Sequence, residues 1–301
     1  MFTLEQMRML DALDRHGTVT GAAASLSLTQ PAASRLLARM GAAAGVPLVE
    51  RRGRGVELTD AGRLMAGHAR AVAARVAAAE SDARRLRHAA TAPVRLAALS
   101  TLLSSLVPRA VALLDARVRA RVVVEHAPDA DAAVAAVAEG RLDVAVVWVD
   151  DDADPLPDGL RARPLLVEGW VVGLPSGHPL ASAPVVSLEA LADAPWIVGA
   201  HSARRGVLQR AAARVGARPE VVSVQTDQLV MQGLVAAGMG VALLPATSVE
   251  ALHPGLAVRP LDPAPAPRRV VAVHNDPSAV AVPRDALLAA LGRAGADAGR
   301  R

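Results

Sequence analysis

The chain has 301 residues, enough for two or three domains, and it contains no cysteine, which excludes a disulfide scaffold and a thiol redox switch. Residues 1–92 carry 13 arginines against 8 acidic residues, and the remainder carries 20 against 21. The excess positive charge therefore lies at the N-terminal end, as electrostatic binding to a nucleic acid requires. Neither a signal peptide nor a long uncharged apolar run is visible, so we expect a cytoplasmic protein without a membrane span.

Three short helices are predicted in the first 45 residues. Their N-terminal signals are Thr3 with Gln6 in a capping box, then Thr18, then Thr29 with Pro31 in the first turn. Gly17 ends the first helix, and the second ends near Leu26. Two helices joined by so tight a connection are typical of a helix-turn-helix.

The third helix divides into two faces at 3.6 residues per turn. The apolar face holds Ala33, Leu36, Leu37 and Met40, and the polar face holds Gln30, Pro31, Ser34 and Arg35. An amide can read adenine, a guanidinium can read guanine or phosphate, and a hydroxyl can bond to either. The polar face therefore predicts contact with DNA, although an arginine such as Arg35 taken alone is more often a solvated surface residue than a base reader.

A short hairpin over residues 48–58 follows and forms the wing of a winged helix-turn-helix. Its arginines are Arg51, Arg52 and Arg54, on a tip whose glycines permit a tight turn. Such side chains suit phosphate contact beside the recognition helix. Taken alone, the same loop is only a basic turn.

A long helix is predicted from Thr59, its N-cap, to about residue 89. Apolar residues recur along it in a heptad pattern: Met65, Val72, Ala79 and Leu86, with Ala69, Val76 and Ala83 at the alternate positions. This pattern favours a two-stranded seam between subunits. The alternative is a helix that packs on its own domain.

Strand and helix signals alternate after Pro93, which is typical of α/β domains. Strands are predicted near 93–99, 120–126 and 142–148, with helices near 101–116 and 129–139. After an acidic loop and a crossing strand near 160–167, a second unit has strands at 170–174, 196–199, 220–224 and 241–244, and helices at 204–215 and 227–237. A proline-rich crossing near 257–267 leads to a strand at 269–274 and a helix at 284–293. Two α/β subdomains joined by two crossings form a periplasmic-binding-protein-like architecture.

A ligand site is expected where strands of such sheets end and helices begin, because free N–H groups there attract anions. The candidate residues follow three strands: Ser100 and Thr101; Gly199, His201 and Ser202; and Thr226 with Asp227. The hydroxyl and carboxylate residues among them have a structural alternative as N-caps, and His201 as a solvated loop residue.

The chain resembles the LysR-type transcriptional regulators. The resemblance rests on Ala22-Ala23, on Thr29 through Arg35, on Gly45-Val46-Pro47-Leu48, on Glu50-Arg51 and on Leu58 through Gly62. Family members usually have Leu-Glu where Met40-Gly41 stand and Phe where Val49 stands, which predicts a weaker helix end and looser packing under the wing. The resemblance implies that Trp148 faces the mouth of the effector cleft; the alternative for Trp148 is a role in the interface between the subdomains. The resemblance also implies that Arg51 can brace the hairpin.

The resulting organisation is a winged helix-turn-helix over residues 1–59, a linker and dimerisation helix over 60–91, and an effector-binding domain over 92–301. Within the last, subdomain I is expected to hold 92–164 and 268–301, and subdomain II 165–267. The expected partners are double-stranded DNA, a small anionic or polar effector and a second copy in a homodimer or homotetramer, with RNA polymerase as a candidate. No cofactor and no metal are expected.

The predicted function is sequence-specific DNA binding that controls transcription under a small-molecule effector. No nucleophile elbow, Walker loop or dinucleotide-binding glycine motif occurs in the sequence, so an enzyme is not expected. Two alternatives from other classes stay open at this point. One is a cytoplasmic small-molecule-binding protein whose N-terminus serves only oligomerisation, and the other is an α/β enzyme that uses the cleft.

Overall fold

The computed structural model describes residues 2–52, 55–87, 91–149, 155–199, 202–276 and 280–298. The chain divides into an N-terminal unit of residues 1–87 with 138–141 and a C-terminal unit of residues 88–137 with 142–301.

The N-terminal unit holds helices and a hairpin in the predicted order. Its elements are α1 (Leu4–His16), α2 (Val19–Ser25), α3 (Gln30–Ala44), β1 (Val49–Arg52), β2 (Gly55–Leu58) and α4 (Asp60–Leu86). The capping box is confirmed, because the Gln6 amide N–H donates to Thr3 Oγ1 at 3.3 Å and the Thr3 N–H donates to Gln6 Oε1 at 2.8 Å. Gly17 ends α1 at φ +66°, a left-handed conformation that glycine adopts without steric cost.

The core of this unit confirms the predicted division of α3 into two faces. Its buried apolar side chains come from the four helices, from β2 and from Leu48 just before β1: Met9, Leu10, Ala12, Leu13, Ala22, Ala23, Ala33, Leu36, Leu37, Met40, Leu48, Leu58 and Ala66. The polar residues Gln30, Ser34 and Arg35 are exposed on the opposite face of α3. Burial of one face thus fixes which face of the helix meets solvent.

The long helix α4 differs from the predicted uniform seam. Met65 packs against the core of the N-terminal unit and Ala69 is fully buried, so the first part of the heptad pattern serves packing within the unit. Farther along, Val72 is 40% exposed and Leu86 is 64% exposed. The alternative of a helix packed on its own domain therefore holds for these first positions and also farther along, where Ala78 is buried and Ser81 Oγ donates to the Gly140 carbonyl of the same unit at 2.8 Å.

The C-terminal unit contains two sheets with helices on their faces. Its helices are α5 (Ser100–Ser104), α6 (Leu106–Ala112), α7 (Ala116–Arg119), α8 (Ala130–Ala138), α9 (Ser202–Arg214), α10 (Gln228–Ala236) and α11 (Ala281–Ala298). Its strands are β3 (Val94–Ala98), β4 (Val122–His126), β5 (Val144–Val149), β6 (Leu160–Glu168), β7 (Trp170–Pro175), β8 (Val186–Ser187), β9 (Pro195–Gly199), β10 (Glu220–Gln225), β11 (Val241–Pro245), β12 (Leu256–Asp262) and β13 (Arg268–Asn275). Short 3₁₀ helices occur at Glu189–Leu191 and Ala246–Ala251.

Subdomain I is built on the sheet β4-β3-β5-β13-β6, and subdomain II on the sheet β10-β9-β11-β7-β12-β8. The pairs β3–β4 and β3–β5 are parallel, as are β9–β10 and β9–β11. The inner strands β3, β5, β9 and β11 are nearly all apolar because both faces of the sheet are covered there, whereas the edge strands β4 and β10 are largely exposed. The two predicted α/β subdomains are therefore present.

The helix predicted over residues 101–116 is interrupted. It forms α5 and α6, which meet at Ser105, and it ends at Ala112. Pro108 explains the interruption, since its ring would clash with the carbonyl of Ser104 in a continuous helix and it has no N–H to donate.

The first crossing lies later in the chain than predicted, and the second lies within its predicted range. The strand β6 stays in the sheet of subdomain I through Glu168, which is the register partner of Arg268, so the first crossing follows residue 168 rather than residue 164. The strand β12 pairs with β7 in subdomain II, and the return crossing is confined to residues 263–267. Prolines at 263, 265 and 267 cannot donate to a strand ladder, which ends β12 at Asp262.

The carboxyl ends of the parallel strands in each subdomain lie at one edge of its sheet. In subdomain I, β13 begins and β6 ends at this edge, because Arg269 is the register partner of Val149 and Arg268 that of Glu168. In subdomain II, β7 begins there, because Trp170 is the register partner of Pro245. The two crossings therefore bring these two edges together.

Candidate functional site

The exposed face of α3 is the candidate DNA-reading surface. Gln30 Nε2 donates to Ser34 Oγ at 3.3 Å, so these two polar groups lie side by side one turn apart. Arg35 is exposed, and so is Arg39 one turn later, which the sequence analysis did not select. The face thus presents an amide, a hydroxyl and two guanidinium groups to solvent.

Thr29 and Pro31 lie at the start of α3. Thr29 is the N-cap residue, but its side chain accepts no capping hydrogen bond. This differs from Thr18, whose Oγ1 accepts from the Gly21 N–H at 3.1 Å. The Thr29 hydroxyl therefore has no partner within its own helix end, and Pro31 occupies the first turn, where its missing N–H costs nothing.

The hairpin of β1 and β2 carries the wing arginines. Arg51 is exposed, whereas Arg52 Nη1 donates to Glu57 Oε2 across the hairpin at 2.9 Å. The Glu57 carboxylate raises the pKa of Arg52 from its ordinary value, mainly through this hydrogen bond. Arg52, rather than Arg51, therefore braces the hairpin, and Arg54 lies outside the described residues.

The wing is anchored to the start of α4. The predicted cap is confirmed, because the Gly62 N–H donates to Thr59 Oγ1 at 3.0 Å, and this hydroxyl donates to the Pro47 carbonyl at 2.8 Å. Arg63 Nη1 also donates to the Leu58 carbonyl at 2.8 Å. These bonds fix both strands of the wing to the helix that follows.

The candidate effector residues of subdomain I lie after β3. Ser100 Oγ is 2.8 Å from Nε2 of His126, the last residue of β4, which the sequence analysis did not select. Thr101 is fully buried, and its Oγ1 accepts a long hydrogen bond from Arg268 Nη2 at 3.4 Å. Thr101 thus faces the interior at the junction of the subdomains.

A buried ion pair occupies this junction. Arg268 and Glu168 have side chains only 1% and 2% exposed, and Arg268 Nε donates to Glu168 Oε1 at 2.6 Å while Nη2 contacts the same oxygen. The other oxygen, Oε2, accepts from Thr247 Oγ1 at 2.5 Å and from the Thr247 N–H at 3.2 Å. Burial lowers the pKa of Arg268, and the neighbouring carboxylate partly offsets this effect.

Two tryptophans cover the guanidinium. The Arg268 Cζ lies 5.5 Å from the ring centroid of Trp148 and 5.2 Å from that of Trp170, both within range of cation–π attraction. Trp148 was expected at the cleft mouth, and it is buried beside this ion pair. Its placement agrees with the alternative of a role in the subdomain interface.

The candidate residues of subdomain II are less closely grouped. Gly199 is buried at the end of β9, and Thr226 is exposed after β10. The cap of α10 is Asp227, whose Oδ1 accepts from the Leu229 N–H at 2.7 Å. His201 lies outside the described residues, as does the side chain of Ser202, although its backbone opens α9.

Sequence reasoning missed the residues that join the subdomains, namely Arg268, Glu168, Trp170 and Thr247. Only one local signal was available: Glu168 is a charged residue between the apolar Leu165–Val167 and Trp170. A charge in such a run is buried only with a partner. Its partner is a hundred residues away, where no local pattern marks it.

Across the described ranges, no group of three or more histidine, cysteine or acidic side chains could hold a metal ion. No helix in the described part of the chain is both long and apolar enough to span a membrane.

Comparisons with known proteins agree with the two units. A probable hydrogen peroxide-inducible genes activator from Streptomyces viridosporus is 30% identical over 298 residues, which cover 96% of this chain and 93% of the relative. An OxyR mutant from Corynebacterium glutamicum has a TM-score of 0.58 at 25% identity, with 99% of this chain and 94% of that chain covered. Full-length CbnR in complex with its target DNA has a TM-score of 0.53 at 18% identity, with 98% and 100% covered, which shows a shared fold.

The family matches divide the chain in the same way. The family described as bacterial regulatory helix-turn-helix protein, lysR family, matches residues 4–63, and the LysR substrate binding domain matches residues 87–295. The predicted fold class, a helix-turn-helix followed by an effector domain of α/β type, is confirmed. The chain belongs to the LysR family of bacterial transcriptional regulators.

Proposed function

We propose that this regulator recognises double-stranded DNA by inserting α3 into the major groove, with Gln30, Ser34 and Arg35 toward base edges and phosphates. The observation that carries the proposal is the exposed polar face of α3, whose opposite face is fixed in the core by Leu36, Leu37 and Met40. Amide and guanidinium groups on such a helix match the donors and acceptors of adenine and guanine. The relative CbnR, which shares the fold, is described in complex with its target DNA.

The experiment is a gel shift and footprint on the DNA upstream of the protein's own coding region. We expect Arg35→Ala to lose about 1–3 kcal/mol of discrimination between the operator and unrelated DNA. Arg214→Ala, which removes the same charge from an exposed position on α9, serves as the matched control. An unchanged footprint for Arg35→Ala would refute the assignment.

The wing is proposed to contact phosphates through Arg51, Arg52 and Arg54. Thr29 and Pro31 are proposed to lie near the backbone at the start of the recognition helix. These contacts carry no base information but fix the register of the protein on the duplex.

The regulator is proposed to act as a homodimer or homotetramer paired through α4. The exposed positions Val72 and Leu86 and the half-exposed Val76 support this part of the proposal. The double variant Val72→Glu/Val76→Glu should separate the subunits, because like charges would oppose each other across a two-fold axis. An unchanged mass in light scattering would place the assembly contacts elsewhere.

The effector is proposed to be a small anionic or polar molecule bound between the subdomains. Ser100, Thr101 and His126 would line one side, and Gly199, His201, Ser202 and Thr226 the other. Ser100→Trp, beside the fully buried Thr101, should abolish the response to the effector and leave operator binding intact. Equal calorimetric titrations of this variant and the parent would remove the cleft from the proposal.

The name of the Streptomyces relative refers to hydrogen peroxide, yet this chain contains no cysteine. A response by thiol oxidation is therefore chemically excluded here. Control by reversible binding of a small molecule needs no cysteine, so the proposal is compatible with this composition.

A further inference from the structure

A cavity of about 490 Å³ lies beside the wing, between the second half of α3 and the start of β1. It is lined in part by Ala38, Gly41, Ala42, Val46, Leu48 and Val49. No charged or hydroxyl side chain lines it, and Val46 is 46% exposed, so apolar surface stays in contact with water there. A volume of this size with an apolar lining is typical of a site for a small molecule.

Two of the lining residues are smaller than the residues that the family usually has at these positions. Gly41 stands where family members usually have Glu, and Val49 where they usually have Phe, and both line this cavity. A Cβ at Gly41 would meet nothing closer than 3.6 Å, so the side of α3 is open at this residue. The chain therefore lacks one carboxylate and one aromatic ring at the same place.

Arg51 supplies a cation next to the cavity. It follows Val49 by two residues on β1, so the two side chains leave the strand on the same face. Arg51 is exposed and has no ion pair within the described ranges, whereas Arg52 is paired with Glu57. Arg51 does not line the cavity itself, but its guanidinium lies at the end of a long flexible stem that can reach the rim.

We propose that this cavity is a second ligand site, which binds an aryl carboxylate. The aromatic ring lies against Gly41 and Val49, and the carboxylate pairs with Arg51. Burial of the ring against the apolar lining favours binding, and the carboxylate supplies the counter-charge that Arg51 lacks. The site is separate from the effector site proposed between the subdomains, because all of its residues belong to the N-terminal unit.

A ligand at this site would oppose binding to DNA. Ser34, Ala38 and Ala42 follow one another at intervals of four residues, so the cavity lies along the side of α3 that carries Ser34. An Arg51 held by a carboxylate is also withdrawn from a phosphate. This consequence rests on the proposed contacts of α3 and the wing with DNA. Because linkage is reciprocal, the ligand must lower the affinity for DNA by the same factor by which DNA lowers the affinity for the ligand.

The first test is a calorimetric titration of the full-length protein with phenylacetate, 3-phenylpropanoate and 2-naphthoate. Their neutral amides are the controls for the ring alone, and acetate is the control for the charge alone. We expect saturable binding of at least one aryl carboxylate, with a Kd about threefold higher for its amide and no binding of acetate. If none of the three aryl carboxylates binds saturably, the proposal is overturned.

Variants that restore the larger residues locate the site. Val49→Phe places a ring of the protein in the cavity and should raise the Kd of the responding carboxylate by about tenfold or more. Gly41→Glu offers Arg51 a carboxylate of the protein and should raise the same Kd. Arg51→Ala should raise the Kd of the carboxylate about threefold and leave that of its amide unchanged. Val282→Phe, at a position on α11 that is 82% exposed, is the matched control and should bind as the parent does.

Circular dichroism and thermal melts establish that each variant is folded, and Gly41→Glu keeps the test valid if Val49→Phe does not fold. An unchanged Kd in both variants would overturn the site. Ser100→Trp, in the proposed effector cleft, should bind the aryl carboxylate as the parent does. Loss of binding in that variant would place the ligand in the cleft and overturn the proposal.

The gel shift with the operator measures the consequence for DNA. A saturating concentration of the responding carboxylate should weaken operator binding by the parent and reduce the slope of log K against log salt concentration by about 0.9, the value for one lost phosphate contact. It should leave operator binding by Val49→Phe unchanged. Calorimetric binding with an unchanged slope would support the ligand site and contradict the phosphate contact of Arg51. Lack of operator binding without any ligand would contradict the proposed function and leave the calorimetric result as it stands.

Discussion

The recognition helix and the junction of the effector subdomains use the same residue type, arginine, in opposite surroundings. Arg35 is exposed on α3, and its neighbours in the site, Gln30 and Ser34, lie within six residues of the chain. The side chain of Arg268 is 1% exposed, and its contacts come from residues 101, 148, 168 and 170. One site is local and solvated, and the other is assembled from distant segments and dry.

This difference decides what a substitution does to each site. An exposed charge interacts weakly through water, so its removal changes binding and leaves folding nearly untouched. A buried charge has lost its hydration, so removal of its partner destabilises the fold itself. Substitutions on the exposed face of α3 should therefore leave the fold intact, whereas substitutions at the junction should destabilise the fold unless they keep its pairing.

The largest expected effect comes from breaking the buried pair. Glu168→Ala leaves Arg268 buried without a counter-charge and should lower the free energy of unfolding of the C-terminal unit by about 3–5 kcal/mol. Asp276→Ala removes the acid of the exposed pair with Arg161 and should cost less than about 1 kcal/mol. Urea unfolding followed by tryptophan fluorescence measures both. Equal effects would mean that burial does not govern this pair.

Within the N-terminal unit, two glycines differ in how much space surrounds them. A Cβ at Gly62 would lie 2.0 Å from the Leu48 carbonyl oxygen, so Gly62→Ala should destabilise the unit by about 1–3 kcal/mol. A Cβ at Gly41 would meet nothing closer than 3.6 Å, so Gly41→Ala should stabilise α3 by about 0.5–1 kcal/mol. Thermal melts of the two variants should therefore shift in opposite directions. If both melting temperatures shifted in the same direction, either the close contact at Gly62 or the gain in helix propensity at Gly41 would be wrongly assigned.

The N-cap residues of α2 and α3 allow a similar comparison, with a smaller expected effect on stability. Thr18→Ala removes a capping hydrogen bond and should cost about 1 kcal/mol of stability. Thr29→Ala removes none, so it should leave the melting temperature nearly unchanged and weaken DNA binding if the hydroxyl meets phosphate. A comparable loss of stability in both variants would indicate a role for Thr29 within the fold.

The smallest effects are expected in the wing. Arg51→Ala should reduce the slope of log K against log salt concentration by about 0.9, the value for one lost phosphate contact. Arg52→Ala should reduce it less, because Arg52 is paired with Glu57 in the free protein. Glu57→Ala, in turn, should tighten binding to all sequences. Equal slopes for the two arginine variants would show that the ion pair of Arg52 and Glu57 breaks on DNA without a cost in binding free energy.

Much of the fold was readable from local signals. Capping residues, the two faces of α3 and the alternation of strands and helices depend on contacts within a few residues, so sequence patterns predicted them. The errors arose where a proline changed the local rule, as at Pro108, or where pairing with a distant strand extended an element, as pairing with β13 extends β6 to Glu168. The identities of the DNA-facing residues came from the sequence, and their contacts with DNA remain predictions.

The sequence by itself determined the family, the order of the elements and the polar face of the recognition helix, because each is encoded by spacing within one or two turns. Only the tertiary structure decided that Arg268 and Glu168 form a buried pair between two tryptophans, and that Arg52 rather than Arg51 braces the wing. Those contacts depend on strand register and on which chain segments meet. A charged residue reveals its partner only when the sheets that carry both are assembled.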